Sequence, residues 1–448
     1  MQRPKISKKQ PAPYLLGLDA LFKIKNAPLS YYTSLKNNYG DAVRVQLGGH
    51  RCWFLFHPDH IEQVLAKQAD KFIRFERIMN ILRQWNGNSL LVAEGESWKE
   101  RRRKILPAFK QQRMPEYAQM IANQTKTLVC ELGEAAGKEC EIDTIMARHA
   151  LDIAGVTLFS KTFSSQSQEI SNAIHALSEI AYRETTSPLL LPAGLSMHLN
   201  KRKKNVVRLM KTTIYDIVKQ RLDEQESKYS DLLSILIEHH GGGTGLIEED
   251  VMSLLIAGHE TSGATLSWLF LLLSQHPDVL RNVHDELDSV IKSDFPSFDD
   301  LKKLPYLSAV IKETLRMYPV AYALFCRQAI SDIELEGVSI RNGDLVQLLP
   351  YVTQRDERWY TNAHTFRPER FLGKEDWPQY AYFPFGAGQR VCIGQSFGMM
   401  EVMLTAASVL MNLTLVPEEE KSLSVHPRFS LRPTAGTTVT FSKRENHH

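Results

Sequence analysis

Residues 385–394 read Phe385-Gly386-Ala387-Gly388-Gln389-Arg390-Val391-Cys392-Ile393-Gly394. Two closely spaced glycines permit positive-φ backbone and let the chain pass close to a flat ligand. Beyond Gly394, the residues Phe397, Met400, Val402, Met403 and Ala406 recur at helical spacing, so a helix is expected to begin just after Cys392. The orphan N–H groups and positive dipole end of such a helix favour a thiolate over a thiol. Arg390, two residues before the sulfur, is a permanent cation suited to a carboxylate. An isolated cysteine is usually an inert buried side chain, and it is the grouping of phenylalanine, glycines, arginine and cysteine at set offsets that argues otherwise here.

Upstream, Glu313-Thr314-Leu315-Arg316 puts two opposite charges one helical turn apart, where they face each other. Alone this is an ordinary surface pair; Phe366-Arg367-Pro368-Glu369-Arg370-Phe371 follows it. Trp98 and Arg102 stand four apart on one helix, with Arg101 and Arg103 flanking them, so a solvated basic face is the plain alternative. Residues 251–273 (VMSLLIAGHETSGATLSWLFLLL) are long enough to span a bilayer. His259 and Glu260 lie near their middle, where an acid is costly in lipid, so a long central helix of a large protein fits better. Within it, Ala257-Gly258 can open a notch. Glu260 beside Thr261 pairs an acid with an alcohol, as a proton relay requires. A kinked helix with a solvated Glu260 is the bland reading of the same residues.

Around this centre the pattern from about residue 98 to 292 is mostly helical, with apolar periodicity at 209–222 and 278–291. Residues 41–56 (DAVRVQLGGHRCWFLF) read as a hairpin turning at Gly48-Gly49, and His57-Pro58-Asp59 opens a helix. Strand-like text returns at 333–347 and 437–441. The expected fold class is mainly α with small β-sheets drawn from both ends of the chain; strands and helices do not alternate as in a doubly wound sheet. The predicted organisation is a flexible basic, proline-rich 1–13, a single catalytic unit over 14–446 with β-rich parts near 38–70 and 330–360, and a possible tag remnant at 447–448.

The 448 residues are 43% hydrophobic with a net charge of +3, ordinary for a globular chain and no signature of nucleic-acid binding. Cys52, Cys130, Cys140, Cys326 and Cys392 are odd in number and widely spaced, which argues against a disulfide framework or a zinc site and suits a reducing compartment. The N-terminus has no apolar run after its basic residues, so neither a signal peptide nor a transmembrane anchor is expected.

The 385–394 segment matches the haem-binding signature of the cytochrome P-450 family at every defined position, and the other motifs follow in that family's order; the chain resembles that family over nearly its whole length. The resemblance implies a helix-rich fold with heme b (iron protoporphyrin IX) between the long central helix and the cysteine-loop helix. It implies Cys392 as the iron ligand, with Trp98, Arg102, Ala257, Arg327, Phe385, Gly386, Arg390 and Gly394 around the haem. Glu260 and Thr261 would deliver protons, and Glu313, Arg316 and Arg370 would form a buried triad with no chemistry of its own. His259 could be a haem neighbour or sit on the far helix face. The implied activity is monooxygenation: one atom of O2 enters a small or medium, lipophilic or aromatic organic substrate by hydroxylation or oxidative demethylation. Oxidative phenol coupling or other non-insertion chemistry is the alternative within the family, and a non-catalytic haem sensor the alternative outside it.

Substrate contacts would fall at 77–92, 320–325 and 429–431, mostly apolar. Residues 188–192, before the basic run 201–204, would join two lid helices. The chain has no flavin, nicotinamide or iron–sulfur motif, so electrons must come from a ferredoxin or flavodoxin type donor with its NAD(P)H reductase. A basic surface of Arg101, Arg103 and Lys104 would suit such a donor. A cytoplasmic monomer completes the expectation.

Overall fold

The structure is a computed structural model, and it describes residues 17–163, 166–187, 197–224, 229, 231–240, 244–374, 376–419 and 423–444. The N-terminal 1–13, the 188–192 segment and the 446–448 tail lie outside the described residues.

The residue 251–273 run sits inside a 32-residue helix, Thr244–Gln275, apolar on nearly all sides and buried along most of its length. A helix of that character is driven to the centre of a domain. It packs against Ile142–Phe159 so closely that a Cβ at Gly263 would come 2.8 Å from the Ala147 Cα. Among the described residues no helix is long and apolar enough to cross a membrane. Gln395–Asn412, the helix following the cysteine loop, packs on Met114–Glu134 and on the central helix. Ser167–Thr186 and Met197–Asp223 pack on each other and on the central helix.

The strands come from both ends of the chain, as the pattern suggested. Ala42–Leu47 and His50–Leu55 pair antiparallel with Val45 opposite Cys52, and Gly48 in the connecting turn takes φ +57°. Leu345–Leu348 then adds parallel to His50–Leu55, followed by Arg327–Ala329 and Phe72–Arg74. Several three-residue strands escaped the sequence reading, among them Phe72–Arg74, Leu413–Leu415 and Glu139–Glu141, the last lying inside the helical stretch and pairing with the C-terminal Thr438–Lys443. Three residues are too few to show a period of two. Pro58 opens its helix with His57 as cap, the imidazole accepting from the Asp59 N–H.

Behind the cysteine loop lies the ion cluster. Arg316 Nε donates to Glu313 at 2.7 Å and Arg370 Nε to the same carboxylate at 3.0 Å. The spare N–H groups end on the carbonyls of Gln354, Thr361, Asn362 and Thr365. Glu313 and Arg316 are fully buried. Gln354, which the sequence did not single out, carries this order to the loop. Its amide donates to the carbonyls of Leu315 and Arg316, and its Oε1 accepts from the Phe383 N–H at 2.9 Å.

Candidate functional site

A cavity of about 460 Å³ lies between the central helix and the cysteine loop. The loop is held by a 2.9 Å bond from the Gly386 N–H to the Phe383 carbonyl and a 3.0 Å bond from the Cys392 N–H to the Phe385 carbonyl. Gly386 and Gly388 both take φ +69°, a conformation strained for any residue with a Cβ. Their close-approach roles differ: Gly386 lines the cavity, whereas a Cβ at Gly388 would strike the Leu65 carbonyl oxygen at 1.8 Å. The second glycine therefore serves chain packing rather than ligand approach.

Cys392 precedes the Gln395–Asn412 helix with Gly394 at its cap. It lies deep in the molecule, yet its surface is open because it faces the cavity. Burial pushes its thiol up, against the Gly394 N–H and the Arg102 charge, which pull it down. The helix end thus offsets burial only in part. Cys326 also lines the cavity, but it is buried and its thiol points to the Arg327 carbonyl.

Trp98, Arg102, Ala257, Thr261, Arg327, Phe385, Gly386, Arg390 and Gly394 line the same cavity as Cys392. Four arginines crowd its cysteine end. Arg74 and Arg390 both donate to Glu94, and Arg390 stacks over the Trp98 ring at 4.1 Å. Arg102 lies 5.7 Å over the same ring. Burial and neighbouring arginines pull Arg390 down to about 9 and Arg327 to about 10. Arg390, expected to face a bound carboxylate, is thus held by the protein's own Glu94, which the sequence gave no means of finding. Arg102 and Arg327 have no acidic partner among the described residues.

The acid–alcohol pair divides. Thr261 lines the cavity and its hydroxyl donates to the Ala257 carbonyl at 2.7 Å. Glu260 does not line it; its carboxylate is buried and accepts from Ser430 at 2.9 Å. Neighbours on a helix point about 100° apart, so one faces the cavity and the other the late turn. His259 lies on the far face, buried against Ser171 and His175. Ser262, on the cavity wall, donates to Glu401 of the cysteine helix at 2.6 Å. Complete burial pushes the Glu401 carboxyl up to about 8. The signal was legible: Glu401 is the lone charged residue of an otherwise uncharged helix.

Of the substrate segments, residues 320–325 all line the cavity, with Ile78, Leu90 and Leu91 from the first stretch and Phe429 from the last. Arg101 is not a surface residue. It is buried and pairs with Asp250 at 2.7 Å and Glu249 at 2.9 Å, so the expected donor surface retains Arg103 and the partly buried Lys104, itself paired with Glu100.

The charge pattern fits haem. Four guanidiniums around one carboxylate leave a surplus that two propionates would answer, beside a thiol open to the cavity. The chain matches the family described as Cytochrome P450 over residues 8–441. It is 30% identical to cyclooctat-9-en-7-ol 5-monooxygenase of Streptomyces melanosporofaciens over 92% of this chain and 87% of that one. It is 29% identical to cytochrome P450 4V2 of Homo sapiens, over 87% and 80% respectively. Cyclooctatin synthase, also of Streptomyces melanosporofaciens, is 28% identical over 91% and 90%.

Proposed function

This chain belongs to the cytochrome P450 family of haem-thiolate oxygenases, and on that premise we propose that it inserts one oxygen atom of O2 into a small or medium lipophilic substrate held between the central helix and residues 320–325. The observation that carries this reading is the placing of the Cys392 thiol and the Thr261 hydroxyl on one cavity. When bound, the haem supplies the reduction of O2 and the oxidant that attacks the substrate, with thiolate ligation favouring O–O cleavage.

Cys392 holds the iron, and the loop hydrogen bonds fix its sulfur. Arg102 and Arg327, without acidic partners among the described residues, would take the propionates, while Arg390 holds Glu94 and Trp98 in place. The apolar wall excludes bulk water, which protects the reaction from side losses. Thr261 passes its hydroxyl proton into the cavity and recovers one from the protein side. Glu260 serves as its proton source by turning from Ser430, and the protonated Glu401 lies behind Ser262 as a second store. The family implies a redox partner; we assign a separate ferredoxin or flavodoxin type donor, with Arg103 on its docking side.

The test is a reduced, carbon monoxide-treated spectrum followed by turnover under labelled O2. A strongly red-shifted Soret band that Cys392→Ser abolishes, and label in the product, are expected. A band that survives Cys392→Ser sinks the ligand assignment, and unlabelled product sinks the insertion reading.

A further inference from the structure

The described wall of the cavity carries five arginines, Arg74, Arg102, Arg327, Arg390 and Arg428, and no aspartate, glutamate or lysine. The first four stand together around Glu94. Arg428 stands apart, on the turn whose Ser430 bonds Glu260 and whose Phe429 packs 5.9 Å from Phe325. It is therefore on the substrate side, among the apolar residues, and away from the propionate corner.

Its guanidinium has no acceptor among the described residues, and its Nε is buried without a partner. The nearby acids are committed elsewhere. Glu260 accepts from Ser430, Asp143 pairs with Arg432 at 3.2 Å, and Glu179 with Arg183 at 2.7 Å. The field in this corner is positive, for the charges of Arg432 and Arg428 add to burial in holding His175 well below the usual imidazole range. Several other wall hydroxyls already donate within the protein: those of Thr185, Thr186, Thr261 and Thr265 bond helix carbonyls. The Gln347 amide donates to the Leu324 and Leu348 carbonyls. A buried guanidinium nitrogen left without an acceptor is costly, and a ligand oxygen that meets it gains a charge-assisted bond.

We propose that Arg428 determines specificity by receiving a carboxylate of the substrate, so that the substrates of this enzyme are lipophilic carboxylic acids. On the substrate side of the cavity Arg428 is, among the described wall residues, a cation without an acceptor, and one cation answers one negative charge. The inference rests on the monooxygenase reading and names the substrate class for the same site.

The experiment is a spin-state titration of the haem-loaded protein with dodecanoic, cinnamic and abietic acids, each beside its methyl ester. At least one acid binds at least about tenfold more tightly than its ester, the size of a charge-assisted bond. Arg428→Gln erases that preference by weakening the acid alone, and Arg428→Lys retains part of it. The proposal is overturned if no acid outbinds its ester, or if Arg428→Gln weakens acid and ester alike. The reduced carbon monoxide spectrum is taken on the same samples. An intact band without acid preference overturns the carboxylate assignment only, whereas a missing band overturns the haem-thiolate reading and this inference with it.

Discussion

Two clusters of arginine, one buried and one partly so, lie close to the cysteine loop, and they are built on opposite terms. Around Glu313, two guanidiniums share one carboxylate, and their remaining N–H groups end on backbone carbonyls. Around Glu94, the guanidiniums of Arg74 and Arg390 share one carboxylate, and beside them Arg102 and Arg327 have no acidic partner among the described residues. The first cluster is complete as the chain folds. The second is over-supplied with positive charge and becomes balanced only when an anion arrives. Hydrogen-bond satisfaction therefore separates the buried Arg316, whose N–H groups end on protein acceptors, from the half-buried Arg102 and Arg327, which have no acidic partner among the described residues.

The sharpest way to break this contrast is Arg316→Met. It strips Glu313 of its main partner inside a fully buried site, and a loss of about 3–5 kcal/mol is expected from denaturant unfolding, with poor haem loading. A neutral result would mean that the cluster is not what holds the loop. Glu94→Gln removes the carboxylate that, among the described residues, Arg74 and Arg390 share. Since charged hydrogen bonds are worth about 1.5–3 kcal/mol, the haem-free protein should lose stability on that order, and haem binding should recover much of it. Equal losses with and without haem would contradict the charge surplus. Arg327→Gln should act in the reverse sense: a slightly higher melting temperature without haem, because repulsion with Arg74 is relieved, but faster haem transfer to apomyoglobin. Unchanged haem transfer would remove Arg327 from the propionate assignment.

Glu401 offers the most specific test, as a buried acid with no cationic partner among the described residues. Its folded value is raised from 4.5 to about 8. Below the lower value the carboxyl is protonated in both states. Between the two, only the unfolded chain releases the proton, so stability falls as pH rises, and above about pH 8 the loss is complete. Glu401→Gln should flatten the melting temperature across that window, and a variant that keeps the slope would assign it to another group.

Motif residues that act locally were legible. The loop glycines, the helix after Cys392, the i to i+3 pairing of Glu313 with Arg316, and the long apolar helix all follow from spacing, because backbone geometry repeats over a few residues. Pairing across the chain was not legible. Arg390 finds Glu94 at a separation of 296 residues, and Arg101 leaves the surface for Asp250 at 149. Glu260 reads as half of a relay with Thr261, yet its carboxylate is claimed by Ser430, 170 residues away.

The amino-acid order by itself determined the family, the sulfur that faces the cavity and the helix that passes above it, since each is written in contiguous residues whose local conformation carries the information. Only the tertiary structure decided which arginines are neutralised, where Glu260 points and that Arg428 has no acceptor among the described residues. Charge balance at a buried site is a sum over neighbours in space, and those neighbours come from segments hundreds of residues apart.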